Sequence, residues 1–209
     1  LYFETLRQGV AMEDAAIIEE LVYALQQYGD HPAFLRHDNK PVLFIWASGR
    51  VTAERWKTIL AAVRQQAGPA LFIGMGCDTL DLDVFDGVHD YTVNAPTDLP
   101  RYQRLCGNKT RHHFLLSPSG GRKLWAATAM PGYDDRALTQ RAEHLLIPRD
   151  SGAYYRHTLQ AALDSQPDWL LVTSWNEWGE NTHIENSVVY GDLYERLTRE
   201  YTAPWLANR

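Results

Sequence analysis

Hydrophobic and polar positions follow two alternating patterns along the chain. Short and nearly continuous apolar runs are typical of parallel strands that are covered on both faces. Between them, apolar residues recur every three or four positions, as they do in helices that bury one face. The runs predict strands at Leu1–Glu4, Pro41–Trp46, Ala70–Met75, Gly87–Tyr91, Leu124–Met130 and Trp169–Trp175.

Five helices are predicted in the remaining stretches. Thr52 is a suitable N-cap for the second of them, which ends before Gly68 and Pro69. The last is expected to end before Pro204, because proline interrupts the helical hydrogen bonds. The predicted helices are Glu13–Tyr28, Thr52–Gln66, Leu99–Leu105, Gly152–Leu163 and Tyr190–Tyr201.

Alternation of strands and helices predicts a parallel sheet with helices outside it, either an open sheet or a closed barrel. Gly74-Met75-Gly76 lacks the third glycine of a phosphate-binding loop, which disfavours an open nucleotide-binding sheet. Six strands are two fewer than a (β/α)8 barrel needs, and the chain opens within the run Leu1–Glu4. We therefore predict an α/β fold of the (β/α)8 TIM-barrel type that lacks its first two β/α units. Residues 1–209 would form a single catalytic domain, incomplete at its N-terminus.

Charge and composition exclude several classes of partner. The net charge is −6 and no run of Lys or Arg occurs, so we expect neither nucleic acid nor a membrane surface as a partner. No apolar stretch approaches the roughly 18 residues that span a bilayer. Cys77 and Cys106 are the only cysteines, and their spacing predicts neither a disulfide framework nor a metal site. The sequence assigns no compartment and no oligomeric state.

Aromatic and acidic residues cluster where the predicted strands end. The fourth strand holds His89, Asp90 and Tyr91, and the last one runs into a segment rich in Trp, Asn and Glu, residues 175–185. In parallel α/β folds the functional site is built at this edge. Flat aromatic rings can stack on sugars, and carboxylates can bind hydroxyl groups and move protons. The pattern therefore favours a carbohydrate site over ordinary polar loops.

Glu177 and Glu180 are the best candidates for acid–base chemistry. In a helical turn their spacing would place them on one side, about 5–6 Å apart at Cβ. Two ionised carboxylates that close repel each other, so one is expected to keep its proton longer and to act as an acid, while the other acts as a base. Two solvated loop glutamates are the alternative, which the flanking Trp175 and Trp178 disfavour. His183 is expected to support the site rather than to bind a metal.

Two carboxylates from one turn are poorly placed for the usual glycosidase geometry. That geometry needs carboxylates on opposite sides of the scissile bond, about 5–5.5 Å apart for retention or 6.5–9.5 Å for inversion. A mechanism in which both carboxylates work from one flank of the sugar fits Glu177 and Glu180 better.

The segment Trp175–Glu185 resembles the Asn-Glu-Trp-x-Glu-x-Thr-x-Ile-Glu signature of glycoside hydrolase family 99, the endo-α-mannosidases, and of related family-99-like domains. Asp86-Gly87-Val88 and Pro131-Gly132-Tyr133-Asp134-Asp135 are similar to two further pieces of that family, in the same order. The resemblance extends over essentially the whole chain. It implies a barrel fold and a retaining endo-acting glycoside hydrolase that needs no metal or organic cofactor, with a polysaccharide or oligosaccharide as substrate.

The resemblance also implies a role for each matching residue. Glu177 would be the base that deprotonates the sugar 2-hydroxyl, so that a 1,2-anhydro sugar forms. Glu180 would protonate the leaving oxygen and then activate water. The implied substrate-binding residues are Tyr133, Tyr91, His89, Trp46, Asn176, Trp178 and Glu185.

One departure bears on the substrate. Gly179 stands where endomannosidases often have His. Two alternatives follow: a family-99-like domain that acts in surface-polysaccharide biosynthesis, or a non-catalytic carbohydrate-binding domain. Binding alone does not need both glutamates, so their presence favours the enzyme.

Overall fold

The computed structural model describes residues 1–91, 93, 97–117 and 121–208. Within these residues the α-helices are α1 (Asp14–Tyr28), α2 (Ala53–Ala67), α3 (Thr79–Val84), α4 (Leu99–His112), α5 (Ala153–Asp164) and α6 (Leu193–Ala207). The strands are β1 (Tyr2–Glu4), β2 (Leu6–Arg7), β3 (Val10–Ala11), β4 (Arg36–His37), β5 (Lys40–Trp46), β6 (Leu71–Met75), β7 (Gly87–His89), β8 (Leu124–Ala129), β9 (Tyr133–Asp134), β10 (Leu146–Ile147) and β11 (Trp169–Val172).

The chain divides into two compact units. The first comprises Leu1–His89 with Lys109–Trp125, and the second comprises Asp90–Asn108 with Ala126–Arg209. The expectation that residues 1–209 form a single catalytic domain stays a prediction.

The first unit is built on four parallel strands in the order β1-β5-β6-β7. Buried apolar side chains of β5 and β6 pack against the buried faces of α1 and α2. The helices contribute Ile17, Leu21, Ile59 and Leu60, among others. Burial on both sides explains why these strands read as continuous apolar runs. The core sits between this sheet and the two helices.

Asp86 ties a helix of the first unit to its sheet. Its Oδ2 accepts hydrogen bonds from the Phe72 amide and from Arg64 Nη2, both at 2.8 Å. Asp86 directly precedes β7, so the carboxylate links the end of α2 with two neighbouring strands. The Asp-Gly pair that carries part of the family resemblance therefore has a structural role here.

The second unit pairs β8 with β11 in parallel, with Leu170 opposite Ala127. Helices α5 and α6 pack beside them, and Tyr155 Oη lies 2.8 Å from Thr198 Oγ1 between the two helices. The core of this unit contains Ala129, Tyr155, Leu159, Ile184, Tyr194 and Leu197. Through Ile184, the segment that follows β11 takes part in this core.

Within the second unit, a short hairpin follows β8. Its strands β9 and β10 are antiparallel, with Ile147 opposite Tyr133 and Leu146 opposite Asp134. We call residues 131–149 the β9–β10 hairpin. The two-residue strands are too short to give a sequence pattern, so the hairpin was not predicted.

The six predicted strands are confirmed, and no strand begins or ends more than three residues from its predicted limit. Two helix predictions need correction. Helix α4 runs on to His112, and α6 continues through Pro204 to Ala207. Since Pro204 lies in the last turn of α6, its missing N–H removes a single hydrogen bond near the helix end. Neither cysteine is a free thiol, a bonding state that their spacing did not predict.

Candidate active site

Residues 173–185, which we call the glutamate loop, follow β11 and fold back on themselves. The Ser174 hydroxyl accepts a hydrogen bond from the Glu177 amide at 2.9 Å and lies 2.8 Å from Thr182 Oγ1. The Ser174 amide donates to the Thr182 carbonyl at 3.0 Å. The Thr173–Ser174 peptide bond is cis. The hydrogen bonds made by Ser174 fix the backbone that carries Glu177.

Glu177 and Glu180 occupy different surroundings on this loop. A turn spans Trp178 to Asn181, closed by a hydrogen bond from the Asn181 amide to the Trp178 carbonyl at 3.1 Å. Glu177 is exposed. The Glu180 side chain is only 15% exposed. One carboxylate is thus open to a ligand, whereas the other is largely enclosed by protein.

Arg141 organises the surroundings of Glu180. Its Nη2 donates to Glu180 Oε1 at 2.6 Å, and its Nη1 donates to Asp135 Oδ2 at 2.7 Å and to Tyr133 Oη at 2.6 Å. A planar guanidinium can hold several oxygens at fixed angles, which an ammonium group cannot do. Four side chains are therefore locked into one network.

The network changes the proton affinities of its members. Burial, together with the hydrogen bond to Glu180, raises the pKa of Tyr133 to about 12. Hydrogen bonding to Arg141 lowers the pKa of Asp135, and hydrogen bonding to Asp135 and Glu180 raises the pKa of Arg141. At neutral pH, Tyr133 keeps its proton and Arg141 keeps its charge.

The β9–β10 hairpin also holds the backbone of the glutamate loop. The Asp134 amide donates to the Glu180 carbonyl at 2.8 Å. Arg149 Nη2 donates to the Asn181 carbonyl at 2.9 Å and to the His183 carbonyl at 2.8 Å. The hairpin therefore supports the loop at both a catalytic candidate and the residues that follow it.

Aromatic side chains flank the acidic pair. Trp175 and Trp178 are each about half exposed. The Trp178 indole stacks on the His183 ring, with centroids 3.8 Å apart and planes 26° apart. An open pocket of about 570 Å³ lies beside Trp178, bordered by His183, Val188 and Tyr190. An exposed indole next to such a pocket is suited to stacking on a sugar ring.

His183 is a neutral, supporting residue. It is buried, and burial together with the neighbouring Arg149 lowers its pKa to about 4. Within the described ranges no group of three or more His, Cys, Asp or Glu side chains is arranged to hold a metal ion. No helix in those same ranges is long and apolar enough to span a membrane.

The predicted substrate-binding residues fall in both units. Tyr133 belongs to the Arg141 network. The Tyr91 carbonyl accepts a hydrogen bond from Thr173 Oγ1 at 2.5 Å, at the start of the glutamate loop. The loop itself carries Asn176 and Trp178, both exposed, and Glu185, which is half-buried. His89 and Trp46 belong to the first unit. The binding roles of all seven residues stay predictions.

His89 is tied into the first unit through both ring nitrogens. Nδ1 lies 2.9 Å from the Gly74 carbonyl and Nε2 lies 2.8 Å from Tyr2 Oη. Because a carbonyl can only accept, Nδ1 carries the proton and Nε2 accepts from the tyrosine hydroxyl. Burial lowers the pKa of His89 to about 4. These are the contacts of a residue that links strands.

Sequence reasoning missed Arg141, Arg149 and the role of Asp135. The two arginines stand in a polar stretch with no spacing pattern, and only the folded hairpin brings them to the glutamate loop. Asp135 lies within the Pro-Gly-Tyr-Asp-Asp motif, but the sequence does not show that Arg141 is its partner.

A parallel strand-and-helix fold with acidic and aromatic side chains just after the end of a strand is the arrangement in which (β/α)8 enzymes build their active sites. Residues 9–198 match the model of glycosyl hydrolase family 99. The chain belongs to this family.

The chain is similar to several known proteins. It is 27% identical over 230 residues to the glycoprotein endo-alpha-1,2-mannosidase of Rattus norvegicus, covering 94% of this chain and 48% of that protein. A glycoprotein endo-alpha-1,2-mannosidase-like protein of Mus musculus is also 27% identical, over 94% of this chain and 49% of that protein. The chain thus spans about half the length of the curated relatives it matches.

The fold is shared with a solved structure. The GH99 endo-alpha-mannosidase from Bacteroides thetaiotaomicron matches with a TM-score of 0.81 at 23% identity, over 100% of this chain and 66% of that one. This similarity confirms the predicted fold class.

Proposed function

We propose that these residues belong to a retaining glycoside hydrolase that cleaves internal α-mannosidic bonds of a polysaccharide or glycan. The observation that carries the proposal is the pairing of an exposed Glu177 with an enclosed Glu180, which Arg141 and Tyr133 hold. Membership of family 99 and the similarity to a glycoprotein endo-alpha-1,2-mannosidase support the α-mannosidic bond as the target.

Two steps account for retention without a carboxylate nucleophile. Glu177 removes the proton of the sugar 2-hydroxyl, O2 attacks C1, and Glu180 gives its proton to the departing glycosidic oxygen. Glu180 then takes a proton from water, which attacks C1 of the 1,2-anhydro sugar, and O2 regains its proton from Glu177. Each step inverts C1, so the configuration is retained overall.

The surroundings of the two glutamates support this division of roles. Glu177 is exposed and so accessible to a hydroxyl group of a bound sugar. Glu180 is held through one oxygen by Arg141, as expected for a group that must meet the same glycosidic oxygen and the same water in turn. Since both side chains come from one short loop, they are assigned to one flank of the sugar.

The remaining site residues would bind the glycan. We propose that the Trp178 indole forms a stacking platform, and that Asn176 and Tyr133 hydrogen-bond sugar hydroxyls. Tyr91 and Glu185 lie on the same unit and are assigned supporting contacts. His89 and Trp46 are assigned to the site on the family resemblance.

A product assay tests the proposal. The complete protein would be incubated with α-mannan and a panel of other polysaccharides, beside Glu177→Gln and Glu180→Gln variants. We expect oligosaccharides from the wild type, and a loss of about 10²–10⁴-fold in turnover for Glu180→Gln, the usual contribution of general acid catalysis. Glu143→Gln, an exposed glutamate of the β9–β10 hairpin, is the matched control.

The route through O2 has its own test. A substrate with the 2-hydroxyl removed should not be cleaved by an enzyme in which Glu177 is intact. Ready cleavage of the 2-deoxy substrate would support a different nucleophile and remove Glu177 from its role. Near-wild-type activity of Glu180→Gln would remove that residue from the mechanism.

Gly179 favours a second candidate, a family-99-like domain that acts in surface-polysaccharide biosynthesis. A Cβ at this position would lie 3.1 Å from Leu138 Cδ2 and 3.7 Å from Glu177 Oε1, so Leu138 occupies the space that a larger residue would need. The same panel of polysaccharides discriminates between the two. Sugar binding without release from any of them would indicate a non-catalytic binding domain.

A further inference from the structure

We propose that Arg141 is a positioning residue that holds the acid–base carboxylate through one oxygen and leaves the other to carry the proton. The inference rests on the proposed function, because it assigns a role to a residue that acts through Glu180.

Geometry carries the argument. Three short hydrogen bonds, of 2.6–2.7 Å, join one guanidinium to Glu180, Asp135 and Tyr133. Charge-assisted bonds of this length are the stronger kind in proteins. The Glu180 carboxylate is therefore restricted in rotation about its last bond.

Arg141 is itself anchored through its other terminal nitrogen, Nη1, by Asp135. The Asp135 side chain is buried, and its Oδ1 accepts a hydrogen bond from the Leu145 amide at 2.8 Å while Oδ2 binds Arg141. A bond to backbone of the β9–β10 hairpin thus fixes Asp135, which in turn fixes the guanidinium. The position of Glu180 is set by this chain of contacts.

The consequence is that the two oxygens of Glu180 differ. Oε1 accepts from Arg141 Nη2. The oxygen that carries the proton of a carboxyl group is the weaker acceptor, so the hydrogen bond from Arg141 to Oε1 favours Oε2 as the position of the acidic proton. A carboxyl group that always presents the same oxygen is pre-oriented for transfer to a glycosidic oxygen.

A neighbouring arginine offers a matched control. Arg136 stands on the same hairpin and forms a two-point ion pair with Asp134, with both distances 2.8 Å, but its side chain is 61% exposed. Removing either guanidinium deletes one ion-paired arginine from the hairpin. Only Arg141 reaches Glu180.

The test compares two substrates that differ in their need for an acid. One is the unactivated glycan, and the other carries fluoride on the same donor sugar, a leaving group that needs little protonation. We expect Arg141→Met to lower kcat/KM for the glycan by about 10–100-fold, the cost of a misplaced catalytic group, and for the fluoride by less than about threefold. Arg136→Met should leave both values unchanged.

A double-mutant cycle supplies the second readout. In a Glu180→Gln background, Arg141→Met should have no further effect on glycan cleavage, because the group it positions is gone. Equal losses on both substrates, or additive losses in the double variant, would show that Arg141 does not act through Glu180. If Arg141→Met fails to fold, Asp135→Asn takes its place. This variant retains the Arg141 guanidinium but removes the carboxylate that anchors it, and it is expected to show the same dependence on the leaving group.

Wild-type activity separates the two hypotheses. No cleavage of either substrate by the wild type would overturn the proposed function and this inference with it. Cleavage by the wild type, with losses in Arg141→Met that do not depend on the leaving group, would overturn this inference alone.

Discussion

Replacing Arg149 by Met should destabilise the second unit strongly, although Arg149 is not a catalytic candidate. The side chain is buried. Its Nη2 bonds the carbonyls of Asn181 and His183 at 2.9 and 2.8 Å. Its guanidinium carbon lies over the rings of Tyr190 and Tyr194, 4.3 and 4.4 Å from their centroids.

These contacts set the magnitude. A hydrogen bond to a charged group contributes about 1.5–3 kcal/mol, and a cation over an aromatic face contributes about 0.5–2 kcal/mol. The four contacts together set an upper limit of about 10 kcal/mol, because the charge must also be removed from water. Methionine is expected to recover some apolar packing, so we expect a loss of about 3–5 kcal/mol in the free energy of unfolding.

Thermal and urea unfolding measure this loss. For a chain of this size 1 kcal/mol corresponds to about 2–4 °C, so Arg149→Met should lower Tm by about 6–20 °C. Arg136→Met is the control, because an exposed ion pair contributes at most about 1 kcal/mol. A Tm within about 2 °C of the wild type would refute the reasoning that Arg149 holds the glutamate loop in place.

Two further predictions concern the first unit. Gly74→Ala should destabilise the protein by about 1–3 kcal/mol in urea unfolding, because the added Cβ would collide with the Phe85 ring, whereas Gly49→Ala, with open space around it, should not. Equal midpoints for the two variants would contradict this. Burial lowers the pKa of His89 to about 4, so between pH 6.5 and 4 the unfolded chain binds the proton more readily and stability falls as pH falls. The pKa difference corresponds to about 3 kcal/mol in the free energy of unfolding. The His89→Gln variant should therefore lose less stability than the wild type between pH 6.5 and 4, although some loss remains because the pKa of His183 is also lowered. An unchanged pH dependence of stability in this variant would refute the assignment.

The candidate acid–base pair could be singled out from the sequence because its signal is local. Glu177 and Glu180 stand three positions apart between two tryptophans, and the matching motif occupies a single loop. The different surroundings of the two glutamates were not accessible. Glu180 is enclosed because Arg141, 39 positions earlier, reaches it across a hairpin.

Strand positions and the order of elements followed from the sequence alone. An apolar run such as Leu124–Ala129 indicates that the segment is extended and that both of its faces are covered. Element ends were less well determined. Pro204 predicts the end of α6, but the proline removes only one hydrogen bond in the last turn and the helix continues to Ala207.

Tertiary structure decided which charged groups meet. The β9–β10 hairpin brings Arg141, Asp135 and Arg149 to the glutamate loop, although its strands have only two residues each. Hydrophobic periodicity reports burial along one segment and carries no information on which distant partner a polar side chain will find. The sequence therefore determined the fold class and the acidic pair, whereas the folded chain alone determined how that pair is held, because hydrogen bonds between distant residues form only once the backbone has set their distance.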